Sequence, residues 1–139
     1  MKISDKREKW ERMSSKIKNY LSVGFFGFLG GGLRCYFNLL WSIYGTFAAN
    51  IIGCFLLALF TYFFIEYKKV PSWLATGLTT GLVGAFTTFS TFQLDTLKLL
   101  QSNQWFNSCV YFILSLILGF VFAYFGMRVG LNLGKKAGN

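Results

Sequence analysis

No histidine occurs in this chain, proline occurs once, and only five of its 139 residues are acidic. Without histidine, the commonest general base and the commonest metal ligand are both missing. Of the five acids only Asp95 falls inside an apolar stretch, so acid–base hydrolysis lacks its usual pair of carboxylates. Cys35, Cys54 and Cys109 all stand in apolar stretches without C-x-x-C spacing. That arrangement suits small packing residues and supplies neither a disulfide framework nor a metal centre. The chain does not read as an enzyme.

What is present is apolar. Hydrophobic residues make up 54%, aromatics 20% and charged residues only 14%. A soluble domain of this size has too high a surface-to-volume ratio to hide so much apolar surface. We therefore expect an all-α membrane protein in the cell membrane, with the lipid bilayer as its solvent.

The net charge of +9 raises the question of nucleic acid, and its distribution answers it. Lys2, Lys6, Arg7, Lys9, Arg12, Lys16 and Lys18 precede the first apolar run. Lys68 and Lys69 sit in a connector, and Arg128, Lys135 and Lys136 close the chain. Basic residues flanking apolar runs are topology signals and lipid-headgroup contacts, so no nucleic-acid partner is expected.

Three regions follow from this pattern: a basic N-terminal segment (1–19), a transmembrane unit (20–129) and a basic C-terminal tail (130–139). In the first, Trp10, Met13, Ile17 and Tyr20 recur at helical spacing, as in an amphipathic helix lying in the membrane interface. A frayed basic tail fits the composition equally. The first apolar run follows a long charged segment and is longer than a signal-peptide core, so it is expected to be a retained span.

Four spans are expected at about 21–40, 44–67, 72–100 and 106–127, each near the ~20 residues a bilayer core requires. Pro71 suits the first turn of the third. Four spans put both termini and the 68–69 connector on one side. Twelve of the fourteen basic residues then share that side, so the positive-inside rule makes it cytoplasmic. Only Arg34 and Lys98 fall elsewhere.

The third segment is polar in its middle, with Gly77, Gly81 and Gly84 and six Ser or Thr between residues 77 and 93. Glycine suggests a helix break there, which a membrane tolerates only where the freed groups face protein or an ion path. Close helix packing through small residues is the plainer reading of the same glycines. Phe89 and Phe92, three apart, share one helix face. Ring edges are positive and offer an anion weak stabilisation, as conduction requires. Asn50 can supply amide donors or merely join two helices. Arg34, near the far end of span one, can snorkel, hold a helix end or draw anions into a vestibule. Asp95 and Lys98 are expected to form an exposed or interfacial pair.

The run Gly84-Ala-Phe-Thr87-Thr88-Phe89-Ser90-Thr91-Phe92 resembles the signature of the Fluc/CrcB family of fluoride channels. The likeness extends to Gly45-Thr46-Phe-Ala-Ala-Asn50-Ile-Ile-Gly53, to Gly30-Gly31-Gly32-Leu-Arg34, and to Tyr111 and Ser115 in span four. It implies an antiparallel dimer with two fluoride pores and a structural sodium ion at its centre. By motif position Gly84 and Thr87 would give carbonyls to that sodium. Phe89 and Phe92 would be the pore rings and Asn50 an amide donor, with Thr91, Tyr111 and Ser115 as further polar lining. Arg34 would be structural or vestibular.

Two features depart from the family pattern. Three glycines crowd before Arg34, and Tyr36 follows it by two positions rather than one. The charge bias also commits the chain to one orientation, whereas an antiparallel homodimer needs both. The expected partner is therefore a related chain of opposite bias, with a homodimer otherwise. A small four-helix secondary transporter and a non-conducting partner subunit are the competing readings. The first lacks the deep carboxylate that such exporters use.

Overall fold

A computed structural model describes residues 3–138, with side chains from Lys6 onward; Met1, Lys2 and Asn139 lie outside the described residues. The described chain is helical throughout: α1 (Ile3–Trp41), α2 (Ile43–Glu66), a segmented third element, and α6 (Trp105–Gly138). The third element is α3 (Ser72–Thr76), a π-helical stretch (Gly77–Val83), α4 (Gly84–Phe86), two extended residues and α5 (Phe89–Gln101). Helices α1, α2 and α6 are each long and apolar enough to cross a membrane. The third element meets the length requirement only as a whole: its 28 helical residues would rise about 42 Å end to end.

Helix α1 contains 39 residues, about 58 Å of rise against a ~30 Å hydrocarbon core. No separate interfacial helix and no frayed tail precede the span over the described part of residues 1–19. Neither Gly nor Pro occurs before Gly24, so nothing interrupts the hydrogen-bond ladder, and Arg12 pairs with Glu8 at 3.1 Å one turn away. The basic C-terminal residues likewise continue α6 without a break to Gly138.

Two parallel helix pairs build the bundle. Along α2 and α6, Gly126 lies against the Phe55 carbonyl, Gly130 against that of Leu59 and Gly134 against the Glu66 side chain. Along α1 and the third element, Gly30 meets the Leu82 carbonyl, Gly81 that of Val23, and Gly77 the Ser22 side chain. Each contact sits where a methyl group would collide. The α1–α2 turn, at Ser42 with φ 50°, and the α5–α6 turn, at Asn103 with φ 57°, lie at one end. The 67–71 connector lies at the other end with the described termini.

Gly77 and Gly81 of the third element do this packing, and none of its three glycines makes the break. No described glycine adopts positive φ. The chain opens at Thr87 (φ −81°, ψ 155°) and Thr88 (φ −150°, ψ 122°), extended geometry open to any residue.

Candidate functional site

The break is held from outside. Asn50, on α2, donates through Nδ2 to the Thr88 carbonyl at 3.0 Å and accepts from the Thr88 N–H at 2.8 Å. One amide side chain thus replaces the acceptor that a continuous helix would have given the Thr88 N–H, and adds a donor to a carbonyl that, at the N-cap, already accepts the first bond of α5. On the far side Thr88 caps α5: its Oγ1 accepts from the Thr91 N–H at 3.2 Å and lies 3.0 Å from the Thr91 hydroxyl. On the near side the Thr87 N–H and hydroxyl both donate to the Val83 carbonyl, at 3.0 and 3.1 Å.

The break leaves the carbonyls from Gly84 to Thr87 without their helical donors, and for two of them the diverted donor is plain. In a continuous helix, Thr88 N–H would donate to Gly84 and Thr91 N–H to Thr87. The first goes to Asn50 instead and the second to the Thr88 hydroxyl. The carbonyls of Gly84 and Thr87 are hard oxygen donors of the type an alkali cation takes, so the donor chemistry fits a sodium ion. Gly84 is exposed on the chain surface.

Beside the clamp lies a cavity of about 340 Å³, lined among others by Asn50, Cys54, Thr87, Thr88, Phe89, Phe92 and Ser115. The Phe89 and Phe92 ring centroids are 6.2 Å apart with planes tilted by 38°. Their surroundings differ. Phe92 is buried against Phe112 at 5.5 Å and Tyr111 at 5.3 Å, whereas Phe89 is 73% exposed on the single chain. One Asn50 N–H remains after the bond to Thr88 and can serve a ligand in the cavity. The Ser115 hydroxyl donates to the Tyr111 carbonyl at 2.6 Å, so it presents lone pairs to the cavity unless it rotates.

The structure thus gathers Asn50, Thr87, Phe89, Phe92 and Ser115 around one space. Thr91 belongs to the capping network and does not line it. Tyr111 touches Phe92 from behind, with its hydroxyl buried and unpartnered. Gly84 does not line it. Arg34 is half-buried and forms none of the side-chain hydrogen bonds or ion pairs found among the described residues.

Asp95 departs from the expected pairing. It is buried at 4% exposure and its Oδ2 has no partner, while Lys98 is exposed. Spacing of three allowed a pair, but the α5 face that carries Asp95 turns into the bundle. Thr88 and Cys54 line the cavity without having been singled out as site residues. A Thr placed just before a helical run is the N-cap signal that could have found Thr88.

Residues 21–127 match the family described as "CrcB-like protein, Camphor Resistance (CrcB)". A protein of Lactobacillus johnsonii named "Fluoride-specific ion channel FluC 1" is 60% identical over 124 residues, covering 89% of this chain and 96% of the relative. "Fluoride-specific ion channel FluC 2" of Ligilactobacillus salivarius is 46% identical over 90% of this chain and 95% of its own length. The protein of the same name from Listeria monocytogenes is 45% identical over 84% and 95%.

Proposed function

The chain belongs to the CrcB family, and on that premise we propose that it is a fluoride-specific ion channel that lets fluoride leave the cytoplasm passively and so limits fluoride toxicity. The observation that carries this reading is the Thr87–Thr88 break, clamped by Asn50 and opening on a cavity walled by Phe89 and Phe92. Fluoride is small and strongly hydrated, so a path for it must replace water with donors and still hold it weakly. The remaining Asn50 N–H gives one donor, and the two rings give positive edges. Among the described residues no Lys or Arg lines this cavity, so the ion meets no full counter-charge there that would trap it.

The third element is read as the fourth membrane crossing, since its summed rise exceeds the hydrocarbon thickness. The working unit is an antiparallel dimer. It would cover Phe89 and bring a second set of Gly84 and Thr87 carbonyls to a shared sodium, which would supply positive charge that fixes the two breaks against each other. Twelve of fourteen basic residues on one side favour cytoplasmic termini and a related partner chain of opposite bias.

Passive efflux from liposomes, read with a fluoride electrode and a chloride electrode in parallel, tests this reading. Fluoride-selective efflux from the chain alone supports the channel and removes the need for a second chain. Efflux only after a related, oppositely biased chain is added supports both statements. Folded protein that passes no fluoride in either arrangement refutes the channel.

A further inference from the structure

At the end of the bundle that holds the described termini, far from the break, one face of α1 changes its chemistry along its length. Glu11, Ser14, Ser15 and Lys18, then Ser22, Phe25 and Phe26, recur at helical spacing and share that face. It is polar up to Lys18 and turns apolar beyond it. Two cavities follow the change. The first, of about 340 Å³, is lined by Glu11, Ser14, Ser15, Lys18 and Asn19 of α1 with Ser72 at the start of α3. The second, of about 530 Å³, is lined by Leu21, Phe25 and Phe26. Lys18 and Trp73 line both, so the two are the halves of one cleft.

The walls of this cleft are tied together. The Ser22 hydroxyl donates to the Trp73 carbonyl at 2.6 Å, the Ser72 hydroxyl donates to Asn19 Oδ1 at 3.5 Å, and Gly77 packs on the Ser22 side chain. The third element is thereby fixed to α1 where the two halves meet. Among the described residues the polar half carries one cation, Lys18, and one acid, Glu11. They stand about 10 Å apart along the helix axis. Lys68 and Lys69 come just before Pro71, which lines the same half. A lysine at this level lays its stem on the hydrocarbon boundary and its ammonium among headgroups, and Trp73 is the residue type that marks the same layer.

We propose that this cleft binds one molecule of an anionic phospholipid with a hydroxylated headgroup, phosphatidylglycerol. An acyl chain lies against Leu21, Phe25 and Phe26, the phosphate meets Lys18, and the terminal glycerol hydroxyls donate to Glu11. The occupant must join an apolar tail to a polar head at the level of Lys18, so a soluble phosphate fills only half of the space. The surplus of basic groups around the polar half selects a head of net negative charge. The acid at its outer rim needs donors, which hydroxyls supply without adding positive charge. This inference does not depend on which ion the chain conducts. The bound lipid braces the long α1 against α3 at the level where α1 leaves the membrane.

The test uses the full chain in detergent micelles, supplied with equal amounts of phosphatidylglycerol, phosphatidylethanolamine and phosphatidylcholine of identical acyl chains. Native mass spectrometry counts the lipids retained, and one phosphatidylglycerol per chain is expected in preference to the other two. Lys18→Gln is expected to lower that retention about tenfold, the scale of a lost hydrogen bond to a charged group. Lys16→Gln removes the same charge at an exposed position outside the cleft and is expected to leave retention nearly unchanged. Equal retention of the three lipids, or an equal loss in the two lysine variants, overturns the site. Soluble glycerol 3-phosphate is expected not to displace the lipid, and displacement by it overturns the lipid as occupant. Should a variant fold poorly, the wild type still decides: phosphatidylglycerol should raise its melting temperature more than either other lipid, and an equal rise with all three overturns the proposal.

Discussion

The two parallel helix pairs of this bundle use the same device to different ends. Between α2 and α6, Gly126 and Gly130 let two regular helices approach until backbone meets backbone, and both helices stay unbroken. Between α1 and the third element, Gly30, Gly77 and Gly81 give the same closeness, yet the third element passes into a π-helical stretch and then opens at Thr87–Thr88. What differs is the neighbour of the opening. Asn50 reaches across from α2 and satisfies both backbone groups of Thr88. Small residues bring helices together, and a polar side chain from another helix is what lets one of them come apart inside an apolar bundle.

The largest effect should follow from removing that side chain. Asn50→Leu leaves the Thr88 N–H unpaired in a buried place and takes one donor from its carbonyl, a cost of about 1–3 kcal/mol. We expect loss of fluoride efflux together with a lower melting temperature; an Asn50→Leu channel with wild-type efflux would break the contrast between the two pairs. Next comes Gly130→Leu, whose side chain would run into the Leu59 carbonyl. Overpacking of this kind costs about 1–3 kcal/mol. It should lower thermal stability while the molecules that remain folded keep their preference for fluoride over chloride.

Phe92→Leu sharpens the comparison on the conducting side. It retains an apolar side chain but loses the ring edge and the aromatic contacts with Tyr111 and Phe112, pairs worth roughly 0.5–1.5 kcal/mol each. Efflux should fall, with a modestly lower melting temperature. The smallest effect is expected from Ser115→Ala. Its hydroxyl already donates to the Tyr111 carbonyl of its own helix, so stability should stay within about 0.5 kcal/mol and efflux near that of the wild type. A large efflux loss in this variant would mean that Ser115 rotates to serve the ion.

Much of this was legible before the fold was known. The turn at Ser42, the connector before Pro71 and the turn after Gln101 follow from runs of apolar residues and their interruptions. The presence of a break in the third element was legible from its polar middle. Its position was not, because glycine content marked the π-helical packing surface while the bond that opens the chain joins residues 38 apart in sequence. A contact at that separation has no local signature; only the resemblance of the Asn50 and Thr87–Thr88 motifs to one family linked them. Asp95 shows the opposite failure. Its i, i+3 relation to Lys98 was a local signal, and the bundle overrode it by turning that face inward. The length of α1 has no such signal, because the change from charged to apolar residues near Tyr20 suggests a boundary, whereas a helix ladder continues through charged residues when neither Gly nor Pro interrupts it.

Whether fluoride travels through the cavity beside Asn50 can be tested at a residue the chain already carries there. Cys54 lines that cavity, while Cys35 and Cys109 are exposed and do not. In a Cys35→Ser/Cys109→Ser background, a small thiol reagent attached to Cys54 should fill the space and slow fluoride efflux, and the further change Cys54→Ser should abolish the block. Efflux that continues unchanged while mass spectrometry shows Cys54 fully modified would contradict the account and place the ion's route elsewhere.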